Sequence, residues 1–230
     1  MTTEKIINIA IDGPGGAGKS TISKAIAKKL DILYVDTGAL YRTVGYFVRS
    51  KDVDPKDAQG VEKLLPEIQI DLGYENGTQV VRLNGEDLGD RIRTPEMSMY
   101  ASAVSAIPAV RTFLLDTQRD IARRHSVIMD GRDIGTVILP DADVKIFLTA
   151  SDECRAKRRC DELNAKGIAT TYEEVLADMI ARDRADSTRA VAPAVAAPDA
   201  IPFDNSWMTP EECVEKISAL VEEKAGAKIS

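Results

Sequence analysis

The stretch Gly13-Pro14-Gly15-Gly16-Ala17-Gly18-Lys19-Ser20 constrains this chain more than any other. It fits G-x-x-x-x-G-K-[ST], and its flanks fit as well: residues 6–11, Ile-Ile-Asn-Ile-Ala-Ile, read as a buried strand, and residues 21–29 as a helix that starts where the loop ends. Glycines admit backbone angles and close approaches that a side chain blocks, and a helix N-terminus offers unpaired N–H donors and a favourable dipole. In that setting the Lys19 ammonium reaches β- and γ-phosphates, and the Ser20 hydroxyl is a ligand for Mg²⁺. The motif identifies a nucleotide or phosphate binder and leaves the reaction open.

Residues 33–36 read as a second strand, broken at Thr37-Gly38 before a helix over 39–49. Asp36, Thr37 and Arg42 therefore fall at a strand's carboxyl end, the edge on which open α/β sheets bind ligands. A helix over 56–65 follows, and at Pro66 the texture changes. Residues 68–72 alternate, Glu75-Asn76-Gly77 reads as a hairpin turn, and residues 80–83 lead to a second Asn-Gly at Asn84-Gly85, which makes a small antiparallel insert inside an α/β pattern. Helical spacing resumes over 97–105 and 108–121; strands are expected at 127–130 and 144–148, and helices at 152–166 and 172–185, the last behind a capping box of Thr171 and Glu174. The Ala- and Pro-rich residues 189–202 read as an ordered crossing, residues 203–206 as a last strand, and 210–221 as the final helix, with fraying from Lys224. Strand-to-helix repetition of this kind implies a parallel sheet with helices on both faces. The expected organisation is a P-loop core over 1–65 and 95–230, an insert over 66–94, and a lid region over 155–190.

Charge bears on partners: 30 Lys and Arg against 37 Asp and Glu leave −7, which favours solubility and speaks against a general nucleic-acid surface. Arginine clusters for a small polyanion remain compatible with it. The cysteines, Cys154, Cys160 and Cys213, are odd in number and widely spaced, which suggests neither a disulfide framework nor a zinc site. The first residues lack the pattern of a secretory signal and no apolar run is long enough for a bilayer, so a cytoplasmic monomer without nucleic-acid or membrane partners is expected. His125 reads as a residue near a helix end, not as a catalyst.

A P-loop alone leaves motors, switches, transporter ATPases and small-molecule kinases open. The chain is short for an energy-coupling assembly and lacks the Asn-Lys-x-Asp run of a GTPase switch. Transfer between two polyanions needs charge neutralisation at both, and guanidinium groups suit a terminal phosphate because they bind it with paired hydrogen bonds. Arg42, Arg111 and Arg132 each adjoin an element whose end is expected to face the crevice, with solvated surface arginines as the alternative reading. Asp133 can orient Arg132 or accept from a base or sugar; Asp130, ending an apolar strand, can orient metal-bound water or hold the lysine loop. Asp12, beside Gly13, is expected to accept the amides of its own glycine turn.

Taken together, Ile11-Asp12-Gly13-Pro14, Asp36-Thr37-Gly38-Ala39-Leu40-Tyr41-Arg42, Ile92-Arg93-Thr94, Asp130-Gly131-Arg132-Asp133-Ile134-Gly135-Thr136-Val137 and Arg189-Ala190-Val191-Ala192-Pro193 closely resemble the bacterial cytidylate kinases over nearly the whole chain. The resemblance implies transfer of the ATP γ-phosphate, with Mg²⁺, to CMP and dCMP on a P-loop kinase fold with a monophosphate-binding insert and a mobile helical lid. It implies ATP contacts at Gly13, Gly15, Gly16, Ala17, Gly18, Lys19, Ser20, Thr21, Arg158 and Arg159. It likewise implies CMP contacts at Asp36, Thr37, Arg42, Ser102, Arg111, Arg132, Asp133, Arg182, Asp186 and Arg189, with Lys19, Arg132, Arg182 and Arg189 acting in transfer and Ser20 toward the metal. Some relatives have Gly where this chain has Ser20, and the family often has Ser where it has Thr37, whose extra methyl narrows the acceptor pocket. Two other readings stay open: a kinase that also takes UMP, and a nucleotide-responsive scaffold that does not turn over.

Overall fold

The computed structural model describes residues 5–75 and 78–225. In chain order the elements are β1 (Asn8–Asp12), α1 (Lys19–Lys29), β2 (Leu33–Asp36), α2 (Thr37–Ser50), α3 (Ala58–Leu64), β3 (Ile70–Glu75), β4 (Thr78–Leu83), β5 (Glu86–Asp87), α4 (Pro95–Val104), α5 (Pro108–Arg124), β6 (Val127–Gly131), β7 (Val144–Thr149), α6 (Asp152–Ala165), α7 (Tyr172–Thr188), β8 (Ile201–Asp204) and α8 (Pro210–Ala225). Five strands form one parallel sheet in the order β2-β6-β1-β7-β8, while β3, β4 and β5 form a separate antiparallel sheet.

Burial on both faces explains why the parallel strands are apolar runs. Along β1, Ile9 and Ile11 point into a cluster with Ile22 and Ile26 of α1 and Ile217 and Val221 of α8, whereas Ala10 between them joins Met129, Ile134 and Ala122 on the opposite face. A further cluster brings Leu40 and Val44 of α2 together with Val104, Val110 and Leu114 of α4 and α5, and with Val81 and Leu83 of β4. The small sheet is thus anchored on helices of the core, and the chain from β1 runs outward to β2 while that from β7 runs outward to β8. Adjacent strands whose connections diverge leave a crevice beyond their carboxyl ends. Pro202, in the edge strand β8, stands beside Phe147.

Several boundaries differ from the sequence reading. The helix α2 begins at Thr37 because the Asp36 side chain accepts from Ala39 N–H at 2.9 Å, so Thr37-Gly38 opens a helix where a break was expected. Likewise α3 starts after Asp57, whose side chain caps it, and β3 lies two residues later than the alternation suggested. The last strand is Ile201–Asp204, earlier than expected, and α7 runs on to Thr188. The hairpin turn at Asn76-Gly77 and the tail after Ala225 lie outside the described residues. Asp12 does not cap its own glycine turn: it is buried, and its two oxygens accept from Ile134 and Gly135 N–H, both at 2.7 Å, tying β1 to the turn after β6. Burial pushes its carboxyl up to about 6, against the pull of those two amides.

The crossing of the P-loop over β7 has no room for a side chain at its first residue. Gly13 has φ +146°, and a Cβ there would sit 1.9 Å from the carbonyl oxygen of Leu148. Gly13→Ala is therefore expected to lower stability by about 3 kcal/mol. Urea unfolding checks this, and an unchanged midpoint would refute the steric account.

Candidate active site

Two cavities meet where α1 begins. The first, about 580 Å³, is lined by Gly16, Gly18, Lys19, Ser20, Thr21, Arg158, Arg159 and Asn205; the second, about 320 Å³, by Thr37, Arg42, Ser102, Arg111, Arg132 and Asp133 with Arg182 and Asp186 of α7 and Arg189 at its end. Gly16, Lys19, Ser20, Asp36, Arg42 and Arg159 line both, whereas Gly15 lines the second alone. Gly13 and Ala17 take part through their carbonyls, described below.

On the P-loop side, Gly18 adopts φ +86° at the N-cap of α1 and no side chain caps the helix, so the N-terminal amides keep their capacity for an anion. The Lys19 ammonium folds back on the loop, donating to the Gly13 and Pro14 carbonyls at 2.8 and 2.7 Å. Burial first, and Arg132 next, push its pKa well down, a cost that a bound polyphosphate reverses. Behind it the buried Asp130 carboxylate accepts from the Ser20 hydroxyl at 2.6 Å and the Tyr34 hydroxyl at 2.8 Å. Burial, and then Asp36, raise the Asp130 pKa. Ser20 and Asp130 supply two hard oxygens, and no cluster of three or more His, Cys, Asp or Glu suited to a metal occurs among the described residues. This donor set fits a magnesium ion held largely by nucleotide phosphates. Toward the mouth, Arg158 donates to the Asn205 side chain at 3.0 Å and its carbonyl at 2.9 Å, and Asn205 donates to the Ala17 carbonyl at 2.8 Å. Arg159 pairs with Glu162.

Across the junction, guanidinium groups from separate elements converge. Arg42 of α2 donates to Asp36 at 2.8 Å, and the Thr37 hydroxyl to the Asp130 carbonyl at 2.8 Å. Arg111 of α5, buried with its guanidinium over the Tyr41 ring, donates to the Ser105 carbonyl at 3.0 Å and pairs with Asp133. Arg189, at the end of α7, approaches the same carboxylate at 3.4 Å and donates to the Ser105 hydroxyl at 2.9 Å. Arg132 bridges the Gly13 carbonyl at 2.9 Å and Asp186 at 3.0 Å, and Asp186 also accepts from Ser102 at 3.0 Å. Burial alone would raise the Asp186 carboxyl, but Arg132 and Arg182 outweigh it and hold it below the usual range. Burial, followed by Arg132, brings Arg182 down to about 10. The Nε atoms of Arg42 and Arg182 are buried without a hydrogen-bond partner among the described residues. Orphaned cationic donors lining a cavity are groups that an anionic ligand satisfies.

The described geometry stands beside a close sequence likeness. Residues 9–223 match the profile of the family described as cytidylate kinase. A cytidylate kinase from Fervidobacterium nodosum is 49% identical over 221 residues, covering 96% of this chain and 98% of that protein. One from Caldicellulosiruptor saccharolyticus is 47% identical over 225 residues, covering 98% of this chain and 100% of that protein. Among solved structures, an uncharacterized protein from Eubacterium ventriosum superposes with a TM-score of 0.50 at 13% identity, covering 94% of this chain and 98% of that one, a likeness of fold alone.

Sequence reasoning did not single out the residues that fasten α7 to the P-loop. Asp183 of α7 accepts from the Gly15 N–H at 3.1 Å with one oxygen and from Arg155 at 2.5 Å with the other, and Arg155 also donates to the Gly15 carbonyl at 2.6 Å. A carboxylate here sits on a loop amide of the kind that takes anions. Arg155 is buried and keeps the Ala150 carbonyl and Asp152 as further partners, so losing Asp183 does not strand it. Asp183→Ala is expected to loosen α7 and to speed tryptic cleavage within residues 152–189 of the nucleotide-free protein by about tenfold, with little change in Tm. An unaltered cleavage rate would show that α7 is held elsewhere.

Proposed function

The chain belongs to the cytidylate kinase family, and on that footing we propose that its cleft transfers the γ-phosphoryl group of ATP in line to the 5′-phosphate of CMP, with dCMP as a second acceptor. The observation that carries the reading is the junction at Lys19, Ser20 and Arg42 between a P-loop cavity and a cavity lined by Arg132, Arg182 and Arg189, with the Nε atoms of Arg42 and Arg182 lacking hydrogen-bond partners among the described residues. Neither a broader UMP/CMP specificity nor a silent scaffold is favoured by a family likeness of this extent.

ATP lies along the P-loop, with Gly13 to Thr21 around its phosphates and Arg158 and Arg159 at the outer end. Ser20 and Asp130 are the residues that would hold Mg²⁺, which when bound neutralises charge on the donor phosphates. The acceptor lies opposite, its phosphate toward Arg42, Arg132, Arg182 and Arg189 and its base toward Ser102, Arg111 and Asp133. A carboxylate beside the pyrimidine edge accepts from the exocyclic amine of cytosine and repels the carbonyl that uracil presents there. The small sheet within 66–94 serves as the monophosphate-binding insert and residues 155–190 as the lid.

Because the acceptor phosphate is already ionised near neutral pH, transfer needs no strong general base. Alignment and charge neutralisation supply the rate. His125, exposed at the C-cap of α5, has no part in it. The same reading makes the protein a cytoplasmic monomer. Three free thiols, Cys154, Cys160 and Cys213, support the compartment, and no single helix among the described residues is long and apolar enough to cross a membrane.

A coupled ADP assay with CMP, dCMP, UMP, AMP and GMP as separate acceptors tests the reading, with CMP expected to give the highest kcat/KM. Absence of CMP-dependent ADP release would overturn it. Lys19→Ala is expected to lower kcat on the order of 10³-fold while leaving the fold intact by circular dichroism; near-wild-type turnover would remove Lys19 from the transfer step.

A further inference from the structure

The outer edge of β2 is closed by two side chains from the antiparallel sheet. Edge strands expose backbone donors and acceptors that need partners. At Asp36, both are met by one group: its N–H donates to Gln79 Oε1 at 2.7 Å, and Gln79 Nε2 donates to its carbonyl at 3.2 Å. A primary carboxamide carries an acceptor and a donor in one plane, so Gln79 pairs with Asp36 as a neighbouring strand's peptide would. Two residues back along the same edge, the Tyr34 carbonyl accepts from the Tyr74 hydroxyl at 3.0 Å. Gln79 and Tyr74 face each other across β3 and β4, so both tethers leave the hairpin at one level.

The side chains of the tethered residues turn inward to the site. Asp36 caps α2 through Ala39, accepts from Arg42 at 2.8 Å and lies 3.6 Å from Arg93, while the Tyr34 hydroxyl donates to Asp130, which holds Ser20. Gln79 itself faces a separate groove, which it lines with Lys24 and Arg93. Farther along β4, Val81 and Leu83 are buried in the core beneath the sheet, an apolar anchorage that does not depend on the carboxamide.

Resting on the functional reading above, we infer that Gln79 is a positioning residue for the acceptor nucleotide: it fixes the backbone of Asp36, and through that the Asp36–Arg42 pair, in register with the antiparallel sheet. Movement of that sheet then changes the grip on the acceptor phosphate more than the P-loop's hold on ATP. Tyr74 plays a lesser part through Tyr34.

Steady-state kinetics of Gln79→Leu, with each substrate varied at saturation of the other, tests this. The expected result is a rise of about tenfold in KM for CMP, with KM for ATP and kcat at saturating CMP within about twofold of wild type, since two neutral hydrogen bonds are lost at one residue. Hydrogen exchange at the Asp36 amide is expected to quicken in the same variant, while core amides of β1 and β6 keep their protection. Tyr74→Phe, which deletes one hydroxyl and keeps the ring, is expected to raise KM for CMP by about threefold; it decides the matter should Gln79→Leu not fold. Unchanged KM for CMP, or equal rises in both KM values, overturns the inference. A wild-type enzyme that turns over CMP while the variants keep its KM refutes this inference alone; a wild-type protein that makes no CDP overturns the functional reading and takes this one with it.

Discussion

Charge removed from water has to be matched, and at the carboxyl edge of this sheet the matching groups come from elements far apart in the chain. Arg111 and Arg189 share Asp133; Arg132 and Ser102 share Asp186; Arg42 rests on Asp36. Removing one partner of such a pair exposes the other to the full cost of burial. The fold and the site are consequently one problem: α2, α5, α7 and the turn after β6 take their relative positions partly from the ions they hold in common.

Much of this pairing has the character of a placeholder. Lys19 lies against carbonyls of its own loop, and the Asp183 carboxylate sits on the Gly15 amide. The Lys19 ammonium and the Gly15 amide both have chemistry suited to phosphate, and under the proposed function both pairings are exchanged when a nucleotide enters. Under that proposal the site trades one set of charge-assisted contacts for another, which keeps the desolvation cost of binding low. The Nε atoms of Arg42 and Arg182, without hydrogen-bond partners among the described residues, are where the matching is incomplete.

What the sequence discloses follows the range of the interactions. The P-loop is legible because its chemistry is local: strand, glycines, lysine and helix lie within a few turns of one another, and the alternation over 68–72 with its Asn-Gly turns marks the small sheet, though two residues early. Arg42, Arg111 and Arg132 are visible as candidates at element ends, but their convergence, and the part of Arg189, are legible only by family resemblance, because periodicity does not encode which loops approach. Asp183, Arg155, Asn205 and Gln79 carried no signal of their own; each is a polar residue whose partner lies tens of residues away. Asp12 shows the opposite failure. A strong local precedent, the aspartate before a glycine turn, lost to two buried amides across the sheet that had no other acceptor.

The two margins of the parallel sheet are finished differently, one by the carboxamide and phenol that cover β2 and the other by Pro202, which contributes no N–H to the open side of β8. Neither rim offers the continuous ladder of free donors and acceptors on which another molecule's strand can build. The apolar, β-branched strands of the parallel sheet thus lie behind covered margins, and the side chains that fasten the small sheet to β2 also close that edge to strand addition.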